Sequence, residues 1–176
     1  NKILYASSMS VYGDLNCNNC GVKEENSLIP KSCYGIGKLS SERYLKIYQE
    51  QLPFVALRMF NVYGPGQDME NMRQGMVSIF LSQAIKNKKI SIKGSLSRFR
   101  DFIYIDDVVE CWFRASFCES ALNQAINLGR GEKTTVNELV EIIKSITQVD
   151  EINIKEGTPC DQLGIYSDTT KLKKIL

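Results

Sequence analysis

The sequence contains no histidine. That excludes Ser-His-Asp and Cys-His catalysis and the usual zinc hydrolase sites, all of which need an imidazole. Any acid–base step must therefore fall to Tyr, Lys, Asp, Glu or Cys. Long apolar runs are missing too: none approaches the about 18 residues that a membrane helix needs, and no signal peptide is visible. Neither sign of charge is in excess. The 22 Lys and Arg stand against 20 Asp and Glu, mixed along the chain, so the composition argues for neither nucleic acid nor a membrane surface as partner. The basic clusters KNKK (86–89) and KLKK (171–174) read as solvated helix ends. Six cysteines are present (17, 20, 33, 111, 118 and 160), but in a chain with no secretory signal they read as reduced thiols of a cytosolic protein. CNNC (17–20) has no second pair to complete a zinc site and sits in a polar loop, so no metal is expected.

What is there suffices for a packed core in one domain or two small lobes: 176 residues, 43% of them hydrophobic. ILYASS (3–8) fits a strand buried on both faces, and FVALRMF (54–60) and QAINLG (124–129) look similar. Between the first two, a helix is predicted over 33–51, with Ser32 as its N-cap and Ile36, Leu39, Tyr44, Leu45 and Tyr48 on one face. NVYGPG (61–66) reads as a turn. A second helix is predicted over 71–88, followed by strands at 90–94 and 101–105. Asp106 or Asp107 should cap a helix from Val108, Thr134 or Thr135 should open one over 136–146, and a short helix should close the chain over 168–175. Strands alternating with helices imply an α/β fold with parallel pairing. The first strand begins within a few residues of the chain start yet demands parallel neighbours. The chain is therefore expected to be the C-terminal part of a larger protein.

Chemistry concentrates in a few places. Tyr34 and Lys38 lie four apart on a predicted helix, so their side chains share one face. A free phenol titrates near 10, and a neighbouring ammonium favours its ionised form. Tyr34 is the only tyrosine in the chain followed by a lysine at that spacing. The serines of SSMSVYG (7–13) stand at the exit of the first strand, where ligands bind in open α/β sheets.

Together, SSMSVYG (7–13), YGIGK (34–38), LRMFNVYGPG (57–66) and RDFIYIDD (100–107) resemble, in order and spacing, the extended short-chain dehydrogenase/reductase family. The closest branch is the nucleotide-sugar epimerases. The resemblance implies the C-terminal part of a Rossmann-type parallel sheet plus a small α/β substrate-binding lobe. Residues 1–62 would belong to the NAD-binding domain and 63–176 mainly to the lobe, with 101–128 partly returning to the sheet. It implies Ser8 as the catalytic hydroxyl, Tyr34 as the acid–base group, and Lys38 as its partner on the nicotinamide ribose, with Ser7 also facing the cofactor. Asn61 and Arg100 would meet the sugar diphosphate, Asp161 a ribose or loop, and Ile165 the gate of the sugar pocket. Arg58 and Arg98 read as structural or rim charges. In such enzymes the tyrosine takes a proton from the sugar 4-hydroxyl while hydride passes to NAD, and the keto-sugar turns before the hydride returns.

The chain departs from the family pattern in three places. No GxGxxG or GxxGxxG occurs, so the first half of the Rossmann domain is expected to lie outside these residues, leaving a fragment that binds NAD poorly and is inactive. Thr158 stands where the family places an arginine against the diphosphate. MSVYG (9–13) replaces the acidic pair that marks the 4,6-dehydratases, so an epimerase or reductase outranks a dehydratase. The expectation is thus an NAD-dependent nucleotide-sugar 4-epimerase, cytoplasmic and homodimeric, acting on a UDP-sugar. A reductase or dehydratase of the same family, or a non-catalytic sugar-nucleotide-binding lobe, is the alternative.

Overall fold

In the computed structural model, residues 1–15, 21–73, 75–157 and 163–176 are described. Strand β1 (Ile3–Ser8) ends in a single 3-10 turn at Met9–Val11, and a loop leads to helix α1 (Cys33–Ile47). β2 (Phe54–Met59) and β3 (Asn61–Tyr63) follow, then α2 (Met76–Asn87), β4 (Lys89–Lys93), β5 (Phe99–Arg100) and β6 (Phe102–Tyr104). The chain continues through α3 (Ile105–Phe117), β7 (Gln124–Leu128), β8 (Thr134–Thr135), α4 (Val136–Ile146), β9 (Glu151–Lys155) and α5 (Thr170–Ile175).

β1, β2 and β7 form one parallel sheet with β2 in the middle. The register runs from Ile3 beside Phe54 to Ser8 beside Met59, and Met59 beside Leu128. β2 is buried from Phe54 to Arg58, as a strand flanked on both edges and covered on both faces should be. Ile3 to Ala6 are only half-buried, because among the described residues β1 is hydrogen-bonded along one edge. α3 covers one face, and its Val108 and Ala115 pack with Val55, Leu57, Ile126 and Leu128. A second core lies between α2, β4 and α4, built from Phe80, Ala84, Ile90, Ile92, Val140 and Ile143. No helix among the described residues is long and apolar enough to cross a membrane.

Several boundaries differ from expectation for local reasons. The helix expected from 71 starts at Met76, after Gly75 adopts a left-handed φ of 92°. α3 begins at Ile105 without a side-chain cap. Asp106 and Asp107 lie inside its first turn, where the helix dipole favours a carboxylate. Residues 61–63 are a short strand paired with β6 rather than a turn. β9, not anticipated, pairs parallel with β4, its isoleucines still largely exposed. The two polar caps appear as read: Ser32 Oγ accepts from Gly35 N, and Thr135 with Glu138 forms a full capping box.

Candidate active site

The C-terminal ends of β1 and β2 open into a cavity of about 320 Å³, whose lining includes Ser7, Ser8, Tyr34, Met59, Asn61 and Phe102. Five elements deliver these groups: β1, α1, β2, β3 and β6. β1 runs straight into the site and stops because Ser8 caps the 3-10 turn, its Oγ accepting from Ser10 N and donating to Ser10 Oγ, both at 3.2 Å. α1 brings Tyr34 in its first turn. It can approach this closely because Gly35 faces the loop: a Cβ there would lie 2.5 Å from the Ser10 carbonyl oxygen. Lys38, one turn further on, donates from Nζ to the carbonyl oxygen of Ala6 at 2.7 Å, and the same Nζ lies 5.5 Å from the centre of the Tyr34 ring. Tyr34 and Lys38 are thus neighbours, and Tyr34 shares its cavity with Ser8.

Asn61 is fixed by two hydrogen bonds to one acceptor, its backbone N and its Nδ2 both donating to the carbonyl oxygen of Asp101. Asp101 is fully buried and makes no pair with Arg100. Its carboxylate instead accepts from the backbone N of Arg130, Gly131 and Ser167 and from Ser167 Oγ. A second cavity, about 680 Å³, shares Asn61, Gly75 and Met76 with the first, so the two form one trough. Among the described residues its charged lining is wholly basic: Arg73, Lys93, Arg98 and Lys155.

Ser7, Ser8, Tyr34 and Asn61 come together on one wall, with Lys38 behind Tyr34. Arg100 is half-buried, donates to the carbonyl oxygen of Phe99 at 2.7 Å, and lines neither cavity. Ile165 is 3% exposed, packs with Val11, Tyr12, Val22 and Phe60, and likewise lines neither cavity. Asp161, Thr158, Cys17 and Cys20 lie outside the described residues. Sequence reasoning set Arg98 aside and did not consider Arg73, Lys93 or Lys155. For Lys93 alone a signal was available, in the alternation of β4, which places Ser91 and Lys93 on the face opposite Ile90 and Ile92. Among the described residues no group of three or more Cys, Asp or Glu is arranged to hold a metal.

Behind the cavity lies an ion pair with no local signature in the sequence. Glu42 and Arg58 are 6% and 4% exposed. Glu42 Oε2 accepts from Arg58 Nη2 at 2.7 Å, and Oε1 accepts from Arg58 Nε at 3.0 Å and from Ser7 Oγ at 2.5 Å. Arg58 Nη1 donates to the Tyr12 hydroxyl at 2.9 Å, which donates to Asn127 Oδ1 at 2.6 Å. Burial pushes the Tyr12 phenol up to about 12, with the Arg58 charge pulling the other way. For Arg58, burial disfavours the charged form, but the bonds to Glu42 and Tyr12 outweigh it and hold the guanidinium above its usual value. α1 therefore packs inward through Gly35 and Glu42. Ile36, Tyr44 and Tyr48, expected on a buried face, point outward at more than half exposed.

The residues present fit the nicotinamide end of a dinucleotide. Lys38 has donors left after its bond to Ala6, Ser7 and Ser8 stand at the end of a parallel strand, and Tyr34 of α1 shares their cavity. None of the chain's glycine clusters supplies the third glycine of a pyrophosphate turn.

Comparison with known proteins agrees with this geometry. The profile of the NAD dependent epimerase/dehydratase family matches residues 1–129. A putative UDP-glucose 4-epimerase from Methanocaldococcus jannaschii is 38% identical over 146 residues, covering 81% of this chain and 46% of its own length. UDP-glucuronic acid decarboxylase 6 of Arabidopsis thaliana is 31% identical, covering 99% of this chain and 52% of the plant enzyme. A UDP-N-acetylglucosamine 4-epimerase from Methanobrevibacter ruminantium, solved with UDP-N-acetylmuramic acid, superposes with a TM-score of 0.92 at 32% identity, over 99% of this chain and 56% of that one. The chain spans about half the length of the relatives it matches. With a Rossmann-like parallel sheet, a Tyr34–Lys38 pair beside Ser8 and a profile match over most of its length, the chain belongs to the NAD-dependent epimerase/dehydratase family.

Proposed function

We propose that the protein is a nucleotide-sugar 4-epimerase working through a transient 4-keto sugar. The observation that carries this reading is the trough itself. Ser8 and Tyr34 share one end with Lys38 beside the ring, and the other end is walled by Arg73, Lys93, Arg98 and Lys155, suited to a diphosphate. NAD, when bound, supplies a reversible hydride acceptor. Within this chain, the Tyr34 phenolate would take the proton of the sugar 4-hydroxyl and return it after the ring turns. The Ser8 hydroxyl would hold that same oxygen, and the Lys38 ammonium would stand as countercharge. Asn61 would orient the diphosphate where the two cavities meet. Arg100 and Ile165 would reach the ligand only by a side-chain or loop rearrangement, since neither lines the trough.

The relatives' names span epimerase and decarboxylase activities, both on UDP-sugars. A UDP-sugar is the proposed substrate class and the cytoplasm the proposed location. The outward Ile36, Tyr44, Ile47 and Tyr48 of α1 support a homodimer formed through this helix. The 176 residues by themselves, lacking a glycine-rich pyrophosphate turn, are expected to hold NAD weakly and to be inactive.

Calorimetric titration with UDP-glucose and UDP-N-acetylglucosamine, with and without NAD, tests the reading. Binding of a UDP-sugar, lost on neutralising Lys93 and Lys155, is expected. A chain that binds neither sugar nucleotide would contradict it.

A further inference from the structure

Ser7 is 1% exposed overall, yet it lines the cavity beside Ser8 and Tyr34. A serine hydroxyl has one hydrogen and two lone pairs. The hydrogen of Ser7 is already committed: its Oγ donates to Glu42 Oε1 at 2.5 Å, and a carboxylate has none to offer in return. The direction is locked from behind. Glu42 is gripped by both Nε and Nη2 of Arg58, and Arg58 is held in turn by Tyr12 and by the carbonyl oxygen of Glu24 at 3.1 Å. Neither partner can swing away without leaving a buried charge unpaired. Ser8 differs. Its hydrogen goes to Ser10 Oγ at 3.2 Å, a long bond between neutral groups that a ligand oxygen can replace by rotation of the hydroxyl.

We propose that the Glu42–Arg58 pair makes Ser7 a dedicated hydrogen-bond acceptor of the active site, which selects a neutral N–H or O–H donor on the bound ligand. Ser8 supplies the complementary donor. The inference rests on the reading above, that this cavity takes NAD and a sugar nucleotide, and it adds the polarity of recognition. Two ligand groups share the required chemistry: the carboxamide N–H of a nicotinamide and a hydroxyl of a hexose. A carbonyl or carboxylate placed against Ser7 would find no hydrogen there. Glu42 and Arg58 are positioning residues, since they act through Ser7.

The test is NMR of the chain, observing the hydroxyl proton of Ser7 through its Cβ. A slowly exchanging resonance is expected, missing in Ser7→Ala. Glu42→Gln would set an amide NH2 against a donor in either orientation, so its folding is at risk. Glu42→Leu with Arg58→Met removes both charges together, and in it the Ser7 proton should exchange freely with water. Titration with NAD and with UDP-glucose in separate arms identifies the source, as the ligand that shifts the Ser7 resonance. That ligand should bind about tenfold more weakly to Ser7→Ala, and Ser7→Thr, which keeps the hydroxyl, should recover most of the loss. A Ser7 proton in fast exchange in the unmodified chain overturns the proposal. So does a Ser7 signal indifferent to both ligands while Ser8 and Tyr34 respond. If none of the three responds to either ligand, the functional reading falls as well.

Discussion

Two glycines of α1, two residues apart and so on opposite sides of the helix, should respond to alanine with opposite signs. Gly37 has nothing within 4 Å of where a Cβ would sit. Replacing it should gain the helix propensity difference, about 0.5 to 1 kcal/mol. At Gly35 the added carbon would lie 2.5 Å from the Ser10 carbonyl oxygen and 3.0 Å from Pro30 Cβ. Both neighbours are backbone or ring atoms, so the helix end must retreat. Overpacking of this kind costs about 1 to 3 kcal/mol, offset in part by the same propensity gain. The two variants should therefore differ by about 1 to 3 kcal/mol, or several degrees in Tm at this chain length. Urea denaturation with m-values checks it. Because the retreat would draw Tyr34 from Ser8, Gly35→Ala should also cut turnover of the complete gene product steeply, as displacements near 1 Å can cost about a hundredfold. Equal midpoints for the two variants would refute the packing argument.

Tyr12 gives a pH signature. Its folded-state phenol stands near 12 against about 10 unfolded, so its contribution is intact below pH 10. It is lost as pH rises toward 12, because only the unfolded chain releases the proton. The loss should be on the order of 2 to 3 kcal/mol beyond that of Tyr12→Phe, and parallel alkaline profiles would disprove it. Arg58→Met alone should destabilise by about 3 to 5 kcal/mol by leaving Glu42 buried and unpaired, whereas Arg58→Met with Glu42→Leu should recover most of it. Chemical denaturation of both reads this directly. Arg98→Ala should raise KM for the sugar nucleotide with little change in kcat. Arg100→Ala should do the same only if Arg100 leaves its bond to Phe99 on binding. Steady-state kinetics of the complete gene product separates the two.

Local signals carried the parts of the fold that local physics decides. Ser32 and the Thr135–Glu138 box were readable because a cap needs partners only three residues away. The parallel strands were readable from their apolar runs, and Tyr34–Lys38 from helical spacing. The face of α1 was misjudged because periodicity shows which residues align but not which side meets the sheet. Glu42 goes inward only because Arg58, far along the chain, neutralises it. β9 escaped notice because a five-residue strand with exposed isoleucines takes its support from β4 alone. The basic wall of the trough joins residues from separate elements, a proximity that no motif spells out.

The central claim, that the Tyr34 phenol moves the proton of the sugar 4-hydroxyl, meets its most direct test in one rate. Epimerisation of UDP-glucose and UDP-N-acetylglucosamine would be followed at C4 by NMR in the complete gene product and its Tyr34→Phe variant. The expected result is turnover in the former and a loss of at least about a hundredfold in the latter, with sugar-nucleotide affinity preserved. Undiminished epimerisation by Tyr34→Phe would contradict it.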